Sequence, residues 1–327
     1  MKILFVSKRV GAASTRYRAS QYVPYLEREG YEVTHLTDNY RVASRLAILR
    51  GARAADIVVH VRRPTRGVYL WLLRRASKVL VFDFDDAIDR TSRHQSGRRR
   101  ARFQKMLAAV DEVWAGSAFL AEKAKAFCNN VVVIPTAVEK SRYAAPVERP
   151  SETIDLVWIG SSSTAKYLEA HLPVLERVAR AVPGLRLKIV ADFTLTSNDI
   201  VIVERPWSEE DEAVDVGSAH IGLAPLPDDP WTRGKCGLKI LQYMAASLPV
   251  VASDVGVHGD LIEDGVSGIL VSTEDDWVDA LSSLCNDAQL RRRMGDAGRK
   301  RVEARFDREV VAKQLVERIE GLLRKTP

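Results

Sequence analysis

The segment Trp231-Thr-Arg-Gly-Lys-Cys-Gly-Leu-Lys-Ile-Leu-Gln-Tyr-Met-Ala-Ala-Ser-Leu-Pro249 decides how the chain is read. Leu238, Leu241 and Ala245, with Ile240 and Met244 beside them, recur at helical spacing and predict a helix that begins near Gly237. Pro249 stops that helix, and Val250 to Ala252 reads as a short buried strand. Lys235, Lys239 and Gln242 follow the i, i+4, i+7 rule, so they are expected on one face at the helix start. Cations are disfavoured there by the helix dipole, and Arg233 adds a third. An anion on the exposed amides reverses that penalty, and Gly234 and Gly237 would let it approach the backbone. The competing reading is a solvated basic turn. Three cations and two glycines on one short segment favour a phosphate site.

Outward from this segment the chain alternates strands and helices in both directions. Toward the N-terminus, Lys2–Val6, Tyr31–Leu36, Asp56–Val61, Val79–Phe82, Val113–Ala115 and Val131–Ile134 read as strands. In the second half the strands are Ile154–Ile159, Leu185–Val190, Val201–Val203 and His220–Leu226. Strand–helix–strand order implies parallel sheets. Pro24 inside the first amphipathic helix predicts a kink or a late start. Pro146 and Pro150 mark a linker between residues 144 and 153, giving an N-terminal domain over 1–150 and a C-terminal domain over 151–327.

At 327 residues and 46% hydrophobic composition the chain can bury two cores. Cys128, Cys236 and Cys285 are odd in number and in no metal-binding spacing, which suits a reducing cytoplasm. No apolar run approaches the ~20 residues that span a bilayer, and no signal-peptide pattern opens the chain. Net charge is +6, but unevenly spread: residues 1–150 hold 28 Lys and Arg against 14 Asp and Glu, and residues 151–327 hold 21 against 29. The basic half is expected to face something anionic.

No glycine-rich dinucleotide fingerprint follows the first strand. Arg16 and Arg18 open the next helix and could grip a phosphate or carboxylate, or lie over the sheet's rim. Asp83, Asp85 and Asp86 follow a strand's carboxyl end, where open α/β sheets place ligands; alternatively Asp85 or Asp86 caps a helix. The run Arg90 to Lys105 is either a solvated helix face or a patch for an acidic lipid surface; its few aromatics do not suit nucleic acid. Gly160, Ser161 and Ser162, before a helix, suit phosphate oxygens or simply cap that helix. Trp207 is a stacking platform or a buried anchor.

The segment Gly234 to Gly256, together with Glu263-Asp-Gly-Val-Ser-Gly-Ile-Leu-Val271, resembles the donor-site region of retaining family-4 (group 1) glycosyltransferases. The resemblance implies a GT-B fold: two Rossmann-like parallel-sheet domains facing across a cleft, the last helix near their junction. It implies a nucleotide-diphosphate sugar held by Gly160, Ser161, Ser162, Lys166, Trp207, Arg233, Gly234, Lys235, Cys236, Gly237, Leu238 and Gln242, with Lys239 stabilising the leaving diphosphate. The family's two glutamates fall on Gly234 and Gln242, its pyrophosphate-binding arginine on Ser161, and its histidine on Asp83. Asp83 is therefore the candidate that orients the acceptor, with Arg16, Arg18, Asp85 and Asp86 around it. No metal or cofactor is expected. The implied partners are the sugar nucleotide and a glycan or lipid-linked anionic acceptor in cell-surface polysaccharide synthesis, with peripheral contact at the inner membrane face. A second reading takes Asp83 and Asp85 as the Asp-x-Asp of a haloacid-dehalogenase-like, Mg-dependent phosphohydrolase; a third is a non-catalytic sugar-nucleotide-binding subunit.

Overall fold

The structure, a computed structural model, describes every residue except 10, 91–95, 144–147 and 325–327. The chain divides into two compact units. The first holds Met1–Ala137, Arg233–Cys236 and Arg308–Pro327; the second holds Val138–Thr232 and Gly237–Asp307. The division is therefore not simply sequential, since the C-terminal helix Arg308–Leu323 belongs to the first unit.

Six parallel strands form the sheet of the first unit: β1 (Lys2–Ser7), β2 (Glu32–Thr37), β3 (Ile57–Val61), β4 (Val79–Phe84), β5 (Glu112–Ala115) and β6 (Val131–Val133). Their spatial order is β2-β1-β3-β4-β5-β6. Ile57, Val58 and Val59 are all fully buried, which is why such strands read as continuous apolar runs and not as alternation. Helices cover the sheet, and Val311, Leu315 and Ile319 of the C-terminal helix share a core with Ile3, Tyr22 and Trp114. Arg318 of that helix holds the buried Glu112 with two hydrogen bonds. Pro24 sits in the first turn of the helix Val23–Arg28, after a separate 3-10 turn at Ser20–Tyr22, so the helix starts late.

The second unit repeats the scheme with β7 (Ile154–Ile159), β8 (Leu185–Ala191), β9 (Val201–Pro206), β10 (Ile221–Ala224), β11 (Val250–Ser253) and β12 (Ile269–Val271). All are parallel, in the order β12-β11-β10-β7-β8-β9. The strand order reverses at β1/β3 in one sheet and at β7/β10 in the other. In open α/β sheets the carboxyl ends at such reversals are where loops diverge and leave room for a ligand.

Candidate functional site

In the second unit the decisive segment forms the helix Leu238–Ala245. Tyr243 pins this helix to the sheet: its hydroxyl accepts from the Ile159 amide at 3.0 Å and donates to the Leu223 carbonyl at 3.1 Å. Gly222 is required beneath it, because a Cβ there would overlap the Tyr243 ring. The helix opens on Gly237, whose φ is +67° and which offers no side-chain cap. A side chain at 237 would be strained by that φ and would also overlap Leu261. Leu238 is the first helical residue of this glycine-opened start, which carries no side-chain cap.

Lys239 follows in the first turn, with Nζ 4.0 Å from the centroid of the Trp158 ring. Trp158 is fully buried at the end of β7, and Gly160 is obligatory above it, since a Cβ at 160 would fall on the indole. His258 lies close enough to feel the Lys239 charge. Burial pushes its pKa down to about 4, a shift opposed by the Ser253 carbonyl 2.8 Å from Nδ1 and aided by Lys239. Trp207 is about half exposed and is held by a 3.1 Å bond from Nε1 to Glu212 Oε2.

Two expectations for this unit need correction. Lys235, Lys239 and Gln242 do not share a helix face. The left-handed Gly237 breaks the register before the helix begins, so Lys235 precedes it, and Gln242 is buried with Nε2 donating to Tyr143 Oη at 3.2 Å. The loop at 160–164 is not a set of vacant donors either. The Ser162 amide and hydroxyl donate to the two Asp192 oxygens at 2.6 and 3.0 Å, and these bonds hold the Asp192 carboxyl below its usual range. Ser161 belongs to a capping box with Thr164, and Lys166 is exposed with Nζ 4.9 Å from the Tyr167 ring centroid. Asp192, Trp158 and His258 escaped the sequence reading. No spacing rule links them to the motif, which they meet only through the fold.

In the first unit the acidic cluster sits differently from expectation. β4 runs two residues further than predicted, so Asp83 lies within the sheet, paired in register with Val61 and Trp114. Its carboxylate is almost fully buried and gripped by Arg18, Nε donating at 2.9 Å and Nη2 to the other oxygen. Arg18 Nη1 donates to the Ile134 carbonyl at 2.8 Å. Burial pushes the Asp83 pKa up against the pull of Arg18. Neither Asp83 nor Arg18 is offered to a ligand, which corrects the expectation of an acceptor-facing aspartate and arginine. It also removes the nucleophile of the phosphohydrolase reading. Among the described residues no group of three or more His, Cys, Asp and Glu could hold a metal.

Asp85 and Asp86 are buried too, and the sequence reading missed their partner. Arg62 lies directly after β3, at a φ of +64° unusual for a side-chain-bearing residue, with its amide 2.6 Å from the Asp83 carbonyl. Its guanidinium is 3.5 Å from Asp85 and bonds Asp86. Arg233 to Cys236 group with this unit: Lys235 Nζ is 3.9 Å from Asp86, and Gly234 packs on Ala87 where a Cβ would not fit. Arg16 lies over the Tyr17 ring, 4.4 Å from its centroid.

Two parallel six-stranded sheets with flanking helices are the architecture of GT-B proteins, and solved GT-B glycosyltransferases superpose on the chain. A glycosyltransferase from Rickettsia africae gives a TM-score of 0.75 at 14% identity over 99% of both chains. A sucrose-phosphate synthase from Thermosynechococcus elongatus gives 0.72 at 15%, again over 99% of both. The Anabaena protein HepE, in complex with UDP and glucose, gives 0.71 at 16% over 98% of this chain and all of that one. Residues 153–287 match the family described as group 1 glycosyl transferases. Residues 153–287 thus resemble group 1 glycosyl transferases, on a chain with the GT-B fold. D-inositol 3-phosphate glycosyltransferase of Nocardia farcinica is 41% identical over 223 residues, 59% of this chain and 49% of the relative. That of Corynebacterium kroppenstedtii is 29% identical over 209 residues, 58% and 45%. The chain spans about half the length of the curated relatives it matches.

Proposed function

We propose that the protein transfers a sugar from a nucleotide-diphosphate sugar to a glycan or lipid-linked acceptor, with retention of configuration and without a metal. The observation that carries this reading is the start of the helix Leu238–Ala245. Gly237 opens it without a side-chain cap, and Lys239 stands in its first turn beside the buried Trp158. A dipole-bearing helix start with an ammonium in its first turn suits a diphosphate, whose charge grows as the sugar–oxygen bond breaks. Asp83 is closed off by Arg18, so the departing phosphate oxygen is the base that the reading leaves for the acceptor hydroxyl. That arrangement puts the new bond on the face the diphosphate leaves, hence retention. The solved relative HepE was crystallised with UDP and glucose, which favours a uridine donor as the first to try.

The test is a thermal-shift panel of nucleotide sugars and nucleoside diphosphates, since a ligand that binds only the folded chain raises the melting temperature by mass action. A shift with one donor and its diphosphate, in EDTA, is expected. No shift with any of them would overturn the reading. The anomer of the product, read by NMR, decides retention.

A further inference from the structure

A helix lying on a sheet normally turns its apolar side inward. Two neighbouring helices of the first unit depart from this. The helix Val42–Ala54 buries Ile48 and Ala52 yet leaves Val42 and Leu46 exposed, at 74% and 48%. The helix Gly67–Ala76 buries Tyr69, Leu70 and Leu73 yet exposes Val68 at 73% and Trp71 at 59%. Val42 and Leu46 are spaced i, i+4, and Val68 and Trp71 i, i+3, so each helix presents one outward apolar stripe. The two helices pack against each other. Tyr40, also exposed, adds an aromatic just before the first.

Charge on the same stretch is one-sided. Residues 39–78 hold ten Lys and Arg against a single acid, Asp56, which is taken by Lys78 and the Lys2 amide. Arg63 lies 3.7 Å from the Tyr40 ring centroid and Arg75 5.5 Å from that of Trp71. Both helices begin just after the carboxyl ends of β2 and β3. Tyr40, Val42 and Val68 therefore sit at the strand-end rim, while exposed Arg50, Arg53 and Arg75 lie further along the helices.

The arginine run of the sequence is built otherwise. On the helix Gly97–Leu107, Arg98, Arg99 and Arg100 are exposed, but the apolar residues Phe103, Met106 and Leu107 are buried. That surface has charge and nothing to insert.

We propose that the outward face of Val42–Ala54 and Gly67–Ala76 docks on an anionic lipid surface. Val42, Leu46, Val68 and Trp71 enter the headgroup layer, and the surrounding arginines pair with acidic headgroups. Bulky apolar tips with an indole and a phenol among guanidinium groups suit an interface that is apolar inside and anionic outside. A second copy of this chain is a poorer occupant, because it would set the same cationic surface against itself. The proposal stands apart from the glycosyl-transfer reading, since binding is read with no donor present.

The experiment is sedimentation of the full chain with phosphatidylcholine vesicles, with and without phosphatidylglycerol. It is run at about 0.1 M and about 1 M salt, between which the Debye length falls from about 10 to about 3 Å. Binding to the phosphatidylglycerol vesicles at low salt is expected, weakened at high salt. Val42→Ser with Trp71→Ala should lower partitioning about tenfold at unchanged melting temperature, and Trp71→Tyr should restore most of it. Arg98, Arg99 and Arg100→Ala together should change it by less than about threefold. Failure to sediment with acidic vesicles at low salt overturns the proposal. So does loss confined to the Arg98–Arg100 variant, or a dimer that the Val42/Trp71 variant dissolves.

Discussion

At the carboxyl ends of β3 and β4 the first unit gathers the buried Asp83, Asp85, Asp86 and Arg18 and the half-buried Arg62 and pairs their charges. Near the ends of β7 and β10 the second unit has Gly160, Gly237 and Lys239, with Asp192 held by Ser162. The carboxyl ends of the two sheets are thus built differently. Ion pairs at a strand end fix loop geometry because each buried charge needs its partner. A helix start opened by glycine and carrying no side-chain cap is a place where the helix dipole favours an incoming anion. On the proposed function, a dense acidic cluster is thus the weaker pointer to ligand binding, and a segment short of side chains the stronger one.

Acid should break the two units unequally, and this is the largest expected effect. Burial pushes His60 of the first unit to about 4, and likewise His171, His220 and His258 of the second; His35 of the first is lowered as well. The unfolded value is about 6.5. Above it both states are neutral and stability is full. As pH falls below 6.5 the unfolded chain takes up protons first, so stability drops until about pH 4. At pH 5 the loss is about 2 kcal/mol each for His60 and His258. The second unit carries two more such histidines, so hydrogen exchange at pH 5 should show its strands losing protection ahead of β1–β6. Loss in the first unit first would break the comparison.

Arg18→Met tests whether the first unit's charges are structural. Leaving Asp83 buried without its partner should cost about 3–5 kcal/mol in denaturant unfolding, with donor affinity in the second unit unaltered. A normally stable variant that has lost turnover would return Arg18 and Asp83 to acceptor binding.

Eleven of the twelve strands were legible, because parallel strands covered on both faces are continuous apolar runs, and Gly237 marked the helix start. The charged residues were less legible. Asp83 was placed past a strand that in fact extends through Phe84, and two residues separate a ligand-facing carboxylate from a buried one. Lys235, Lys239 and Gln242 fit a helical face on paper, but a single left-handed glycine breaks the count. Arg62 and Asp192 gave no signal, because their partners are 23 and 24, or 30, residues away in sequence.

Gly237→Ala should then separate backbone from side-chain effects in the second unit. Strain at φ +67° and overlap with Leu261 together should cost about 2–4 kcal/mol and displace the first-turn amides. Diphosphate binding, measured by calorimetry below the melting transition, should be lost with it. Binding that survives would mean that the helix start is not the anion site.

The smallest and most discriminating effect is the difference between two lysines four residues apart. Lys239 stands on the helix beside Trp158 in the second unit, whereas Lys235 precedes Gly237 and lies 3.9 Å from Asp86 in the first. A charge-assisted contact to phosphate is worth about 1.5–3 kcal/mol, so Lys239→Ala should weaken diphosphate binding about 10- to 100-fold. Lys235 already faces a carboxylate, and a partly exposed pair of that kind is worth about 0–1 kcal/mol, so Lys235→Ala should change affinity by less than about fivefold. Lys239→Arg keeps the charge and should recover part of the loss, which a purely structural role over the indole would not require. Equal losses in the two alanine variants would mean that both lysines reach one anion, and the contrast between the two strand edges would have to be redrawn around Gly237.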